Sequence, residues 1–131
     1  MSCKSALYAA NTGTQTLAIN DTISFGTPVR RFGCNTNISG GNVVLNGAGY
    51  YSINTNINFT AAAGTAVITL YKDGAPIPGA TVSRTTAATT EYQVNIPAIV
   101  RLTCCCESTI TAVVTGVAAT IENAAITVEK L

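Results

Sequence analysis

Three adjacent cysteines, Cys104-Cys105-Cys106, are the residues of this chain best equipped for chemistry. Thiolates are soft ligands, so such a run could hold a soft metal ion. Successive residues of a strand point to opposite faces, however, and three in a row do not converge on one ion. Zinc sites use ligand pairs spaced two or more residues apart. Around a three-fold axis, one cysteine from each of three subunits could converge. Two other readings stand beside this one: small apolar residues filling a turn between strands, or a disulfide to Cys34 or between subunits. Cys3 and Cys34 bring the cysteines to five. An odd count without a secretory signal argues against a disulfide framework.

Little else in the chain can catalyse. It has no histidine, which removes Ser/His/Asp and Cys/His machinery. The acids are Asp21, Asp73, Glu91, Glu107, Glu122 and Glu129. The aspartates fall in turn sequences and the glutamates on expected polar faces, so they read as solvated groups rather than a paired-carboxylate hydrolase. Gly47-Ala48-Gly49 precedes a strand, not a helix, and cannot seat a phosphate at a helix N-terminus. Arg30-Arg31 reads as an exposed pair, able to meet an acid of a neighbouring subunit or an anionic ligand. The sequons at Asn20, Asn37 and Asn58 are expected by chance in a chain so rich in Asn and Thr. The chain is therefore read as non-enzymatic, with no cofactor.

These residues are carried by elements of one kind. In Gly49–Phe59, Tyr51, Ile53, Thr55, Ile57 and Phe59 share one face of an extended strand, and Tyr50, Ser52, Asn54, Asn56 and Asn58 share the other. That is the period-2 pattern of a half-buried strand. Further strands are expected over Ser5–Ala9, Leu17–Ile19, Ile23–Phe25, Asn42–Asn46, Thr65–Lys72, Glu91–Ile96, Ser108–Thr115 and Ala118–Glu129. Pro28 is expected to break the chain. Asp73-Gly74 between alternating segments is a hairpin signal. Pro76 and Pro78 make the next segment an edge at best, and Pro97 marks an edge strand or a bulge, with Ile99–Leu102 as its continuation. Ile121 has the opposite parity to Ala124, Ile126 and Val128, which predicts a bulge near Glu122-Asn123. Helical periodicity is absent. Short strands between turn signals indicate an all-β sandwich or barrel.

The 131 residues suit a single domain spanning 1–131. Charged residues make up 10% and the net charge is +1, too little basic charge for nucleic-acid binding. Low charge, small side chains and a mean hydropathy above zero suit a protein that hides surface in an assembly. The N-terminus lacks a secretory h-region, and no apolar run approaches the roughly 20 residues that span a bilayer. The expectation is a soluble cytosolic product without membrane insertion.

The order of segments resembles a known family. Gly49-x-Tyr51-x-Ile53 looks like the Gly-x-Tyr central strand of the complement C-one-q and tumour necrosis factor superfamily. The run Val67-Ile68-Thr69-Leu70-Tyr71-Lys72-Asp73-Gly74-x-Pro76-Ile77-Pro78-Gly79 is similar to the family's strand, Lys-Asn-Gly-like turn and proline-containing segment. Ala124–Leu131 resembles its last strand. The likeness covers roughly residues 43–131. It is nearest in pattern to bacterial and phage members: small stand-alone prophage proteins, and the C-terminal domain of spore-surface collagen-like glycoproteins. Residues 1–42 carry no collagen-like Gly-X-Y repeat. Cys104-Cys105-Cys106-Glu107 replaces the family's Gly-Asp turn, so no calcium site of the complement kind is implied.

The resemblance implies a ten-stranded jelly roll and a homotrimer used for display or recognition. Its central strand would face the trimer axis, placing Tyr50, Ser52, Asn54, Asn56 and Asn58 in the subunit interface. Thr109, Thr111, Val113, Thr115, Ala125 and Thr127 are expected nearby. The expected function is a trimeric structural or attachment protein on a phage particle (head, tail fibre or decoration) or a bacterial surface, partnered by itself and by other virion or surface proteins. The alternative is a carbohydrate-binding module for host glycans, with Tyr8, Tyr71 and Tyr92 as the evident stacking platforms.

Overall fold

The computed structural model describes residues 4–103 and 107–131. Among the described residues twelve strands follow one another: β1 (Ala6–Asn11), β2 (Gln15–Leu17), β3 (Thr22–Ile23), β4 (Thr27–Phe32), β5 (Thr36–Ser39), β6 (Asn42–Asn46), β7 (Gly49–Ala61), β8 (Gly64–Lys72), β9 (Ala75–Thr86), β10 (Glu91–Leu102), β11 (Glu107–Thr115) and β12 (Ala119–Lys130). Ten of them build two antiparallel five-strand paths, β10-β7-β12-β1-β4 and β5-β6-β11-β8-β9. The short β2 and β3 pair with β12 and β11 respectively. The architecture is a jelly-roll sandwich, with the ten principal strands that the sequence resemblance implies.

The alternation of β7 decides which side faces in. Tyr51, Ile53, Thr55, Ile57 and Phe59 are all buried, opposite Ile68, Leu70, Ile110, Ala112 and Val114 of the other sheet, in one continuous core. Apolar burial of this kind is the main driving force for folding. Tyr51 reaches the end of the sandwich, where its hydroxyl lies 2.9 Å from the Asn46 carbonyl and 2.8 Å from that of Gly47. Burial pushes this phenol above its ordinary pKa, against the lowering effect of a hydrogen bond with Asn35.

Thr55 is the polar member of that buried row, and its hydroxyl has no hydrogen-bond partner among the described residues. An unsatisfied buried hydroxyl costs free energy that a methyl group does not. Thr55→Val, which keeps the shape, is therefore expected to stabilise the fold by about 1 kcal/mol. A higher urea midpoint with an unchanged slope would show it; a lower midpoint would refute it.

Several turns follow from local chemistry. Asp73 and Gly74 have φ of 52° and 84°, the left-handed pair of a type I′ hairpin turn. The Thr109 amide donates to Asp73 Oδ1 at 2.9 Å, and this hydrogen bond holds the carboxyl below its usual pKa. The expected bulge in β12 is present: pairing with β7 passes from Ile121↔Phe59 to Asn123↔Asn58, leaving Glu122 as the extra residue.

The prolines define the borders. Pro28 does not break the chain; it lies inside β4, an edge strand whose pairing with β1 shifts register between Tyr8 and Ala9. An edge strand has a free side on which a missing N–H costs nothing. The same reason admits Pro76 and Pro78 in β9 and Pro97 in β10, both edge strands. Of the two readings for Pro97, the edge is correct, and β10 runs unbroken from Glu91 to Leu102. Side chains from the opposite sheet close this border. Lys72 Nζ donates to the Arg101 carbonyl at 3.2 Å, and Arg84 Nη2 to the Gln93 carbonyl at 3.1 Å. The edge strands β4 and β5 are the two principal strands that the alternation pattern does not reveal.

Candidate interaction face

The outer face of the β10-β7-β12-β1-β4 sheet gathers most of the singled-out polar residues. The pairing register lays them in rows. One row runs Phe32, Ala6, Glu129, Ser52, Ile99. The next runs Arg30, Tyr8, Thr127, Asn54, Pro97. A third runs Thr27, Ala10, Ala125, Asn56, Asn95, and a fourth holds Asn123, Asn58 and Gln93. Asn54, Asn56, Asn58, Gln93, Asn95 and Asn123 thus form a patch of uncharged amides. Gln93 Nε2 donates to Asn56 Oδ1 at 3.0 Å, and Thr127 Oγ1 to the Asn54 carbonyl at 3.4 Å.

A trough of about 290 Å³ crosses this patch, lined by Tyr8, Asn54, Asn56, Gln93, Asn95, Ala125 and Thr127 among others. Ala125, one of the two alanines of its row, makes the floor. Amides both donate and accept, so this surface can satisfy another polar surface without burying charge. Tyr50 lies at one end of β7, with the Arg101 guanidinium 5.8 Å from its ring centroid.

The expected residues do not all meet here. Tyr50, Ser52, Asn54, Asn56, Asn58, Ala125 and Thr127 do. Thr109, Thr111, Val113 and Thr115 do not: β11 belongs to the other sheet, and they point outward from the opposite side of the sandwich. Thr111 is paired with Tyr71 and Val113 with Thr69. Parity along a strand tells outward from inward, but not which of two sheets the strand joins. Gln93, Asn95 and Tyr8 complete the face without having been singled out for it. The alternation of β10 around Tyr92, Val94 and Ile96 already carried the signal for the first two.

The aromatic platforms divide similarly. Tyr8 lies on the amide face. Tyr71 lies on the far sheet. Tyr92 packs its ring 5.8 Å from Phe59 and accepts a hydrogen bond from the Ala87 amide at 2.8 Å, so it is structural. The run Cys104-Cys105-Cys106 lies outside the described residues. Among the described residues Cys34 is exposed, no group of three His, Cys, Asp or Glu side chains could hold a metal ion, and no helix is long and apolar enough to cross a membrane.

Sheet order and face together define a jelly roll of the tumour necrosis factor and complement type. The structure is similar to Eiger TNF from S. frugiperda, with a TM-score of 0.74 and 14% identity over 98% of this chain and 91% of that one. Murine APRIL at pH 5.0 gives a TM-score of 0.75 at 14% identity over 98% and 100%. The globular domain of zebrafish complement 1qA gives 0.68 at 12% identity over 94% of each chain. At such identities the likeness is one of fold. The chain belongs to the BclA C-terminal domain family, whose model matches residues 7–131. A comparison with curated protein sequences finds no match.

Proposed function

We propose that residues 1–131 form one non-enzymatic display module that assembles as a homotrimer, with the amide face of β7, β10 and β12 turned toward the three-fold axis. The observation that carries this reading is the face itself: six amide side chains, a small-residue floor at Ala125, and no charged side chain in the rows that hold Ala125 and Asn58. Uncharged donors and acceptors can be buried against copies of themselves at little cost once paired. Membership of the BclA C-terminal domain family supports display on a surface, and the low charge of the whole chain suits a protein with hidden surface. The sites of display in this proposal are a phage particle or a bacterial surface, with other surface or virion proteins as neighbours. Capsid or tail genes beside this one would favour the virion. Thr109, Thr111 and Val113 are left out of the axial seam, because they lie on the other sheet.

Multi-angle light scattering at micromolar concentration tests the assembly. The expected mass is three times that of the chain; the mass of a single chain refutes the trimer.

The trough beside Tyr8 favours a second reading, a glycan site in which an aromatic wall and amide donors grip a sugar. The two readings exclude each other at this face. Binding on an array of host-wall glycans by a monomeric protein would favour the second.

A further inference from the structure

The same face carries exposed apolar groups on both flanks. On the β10 flank, Ile99 is 63% and Tyr50 52% exposed. On the β4 flank, Phe32 is 61% and Tyr8 40% exposed. Large apolar side chains clustered on a rim mark a contact surface. The two flanks differ in shape. Ile99 stands out from an edge strand beside Pro97. On the other flank, Ala6 leaves a groove of about 210 Å³ between Phe32, Tyr8 and Glu129.

They differ in charge as well. The guanidinium of Arg101 lies beside Tyr50, on the flank of Ile99. Glu129 lines the groove on its β12 side, and Arg30 lines it on its β4 side. Arg31, also at the groove, is committed elsewhere, its Nε donating to the Thr36 carbonyl at 2.5 Å. One flank thus bears a projection with a cation, and the other a groove whose carboxylate is on one wall only.

We infer that a second copy of this chain is the occupant of the groove: Ile99 of one copy seats between Phe32 and Tyr8 of the next, with Arg101 against Glu129 and away from Arg30. This rests on the trimeric reading above and specifies its contact. An isologous contact joins like patches across a two-fold axis, whereas unlike patches join head to tail and close into a ring when the rotation between copies is a third of a turn. A projection on one flank and a groove on the other are unlike patches of one face.

Charge reversal tests the contact. Arg101→Glu alone and Glu129→Arg alone are each expected to raise the concentration midpoint of assembly by about 30-fold or more, as loss of an interfacial charge pair does. The double variant is expected to recover most of that loss, because the pair is restored with its polarity exchanged. Ile99→Ser is expected to weaken assembly without a charge change. All sites are exposed, and an unchanged far-UV spectrum and melting curve in a monomeric variant separate lost assembly from lost fold. A wild-type trimer unaffected by either single reversal, or a double variant no better than the singles, overturns the proposed contact and leaves the trimer standing. A monomeric wild type overturns both.

Discussion

Ala125→Arg is expected to leave the protein monomeric at concentrations where the unaltered chain assembles. Ala125 is the floor of the trough on the amide face, between Ala10 and Asn56 in its row. Arginine there would fill the depression and place three cations about one axis. Each would lose water with no carboxylate in its row to pair with, and an unpaired charge at a buried contact costs several kcal/mol. The fold should tolerate the change, because the side chain points out of the sheet in the free subunit. The measurement is mass by light scattering, with the thermal melt as a control. A trimer that persists with arginine at this position would move the interface off this face. Ala125→Ser, small and uncharged, should assemble like the wild type.

Gly116→Ala is expected to cost about 3 kcal/mol of folding stability, combining a left-handed backbone with a steric clash. Gly116 lies between β11 and β12 with φ of 91°, a conformation that side chains disfavour. A Cβ there would also run into the carbonyl oxygen of Thr65, which is backbone at the start of β8 and cannot rotate away. Gly74 separates the two contributions. Its φ is 84°, yet a Cβ would meet nothing within 4 Å. Gly74→Ala is therefore expected to cost only about 1 kcal/mol. Urea unfolding of both variants provides the comparison; equal losses would eliminate the clash as the source of the larger effect.

Much of the architecture was legible because it depends on neighbours in the chain. The two faces of β7, the type I′ turn at Asp73-Gly74 and the extra residue at Glu122 all follow from parity or turn chemistry within a few residues. What depends on distant pairing was less legible. Pro28 reads as a break until β4 is known to be an edge strand. Thr36–Ser39 is too short and polar to show alternation. Thr109, Thr111 and Val113 have the correct outward parity, but their sheet is set by pairing with β6 and β8, far away in sequence. The amide face is assembled from β1, β7, β10 and β12, so half of it becomes visible only when those strands are laid side by side.

The borders of the sandwich carry a further consequence. All four prolines lie in edge strands, at positions 28, 76, 78 and 97. β4 is further disrupted by its register shift, β5 is four residues long, and the β10 carbonyls of Gln93 and Arg101 are already bonded to Arg84 and Lys72. A free edge would offer a template on which another chain could add a strand and nucleate a fibril. Here each template is interrupted. Copies of this chain brought side by side can therefore stay discrete, touching through their faces while their strand edges remain closed to polymerisation.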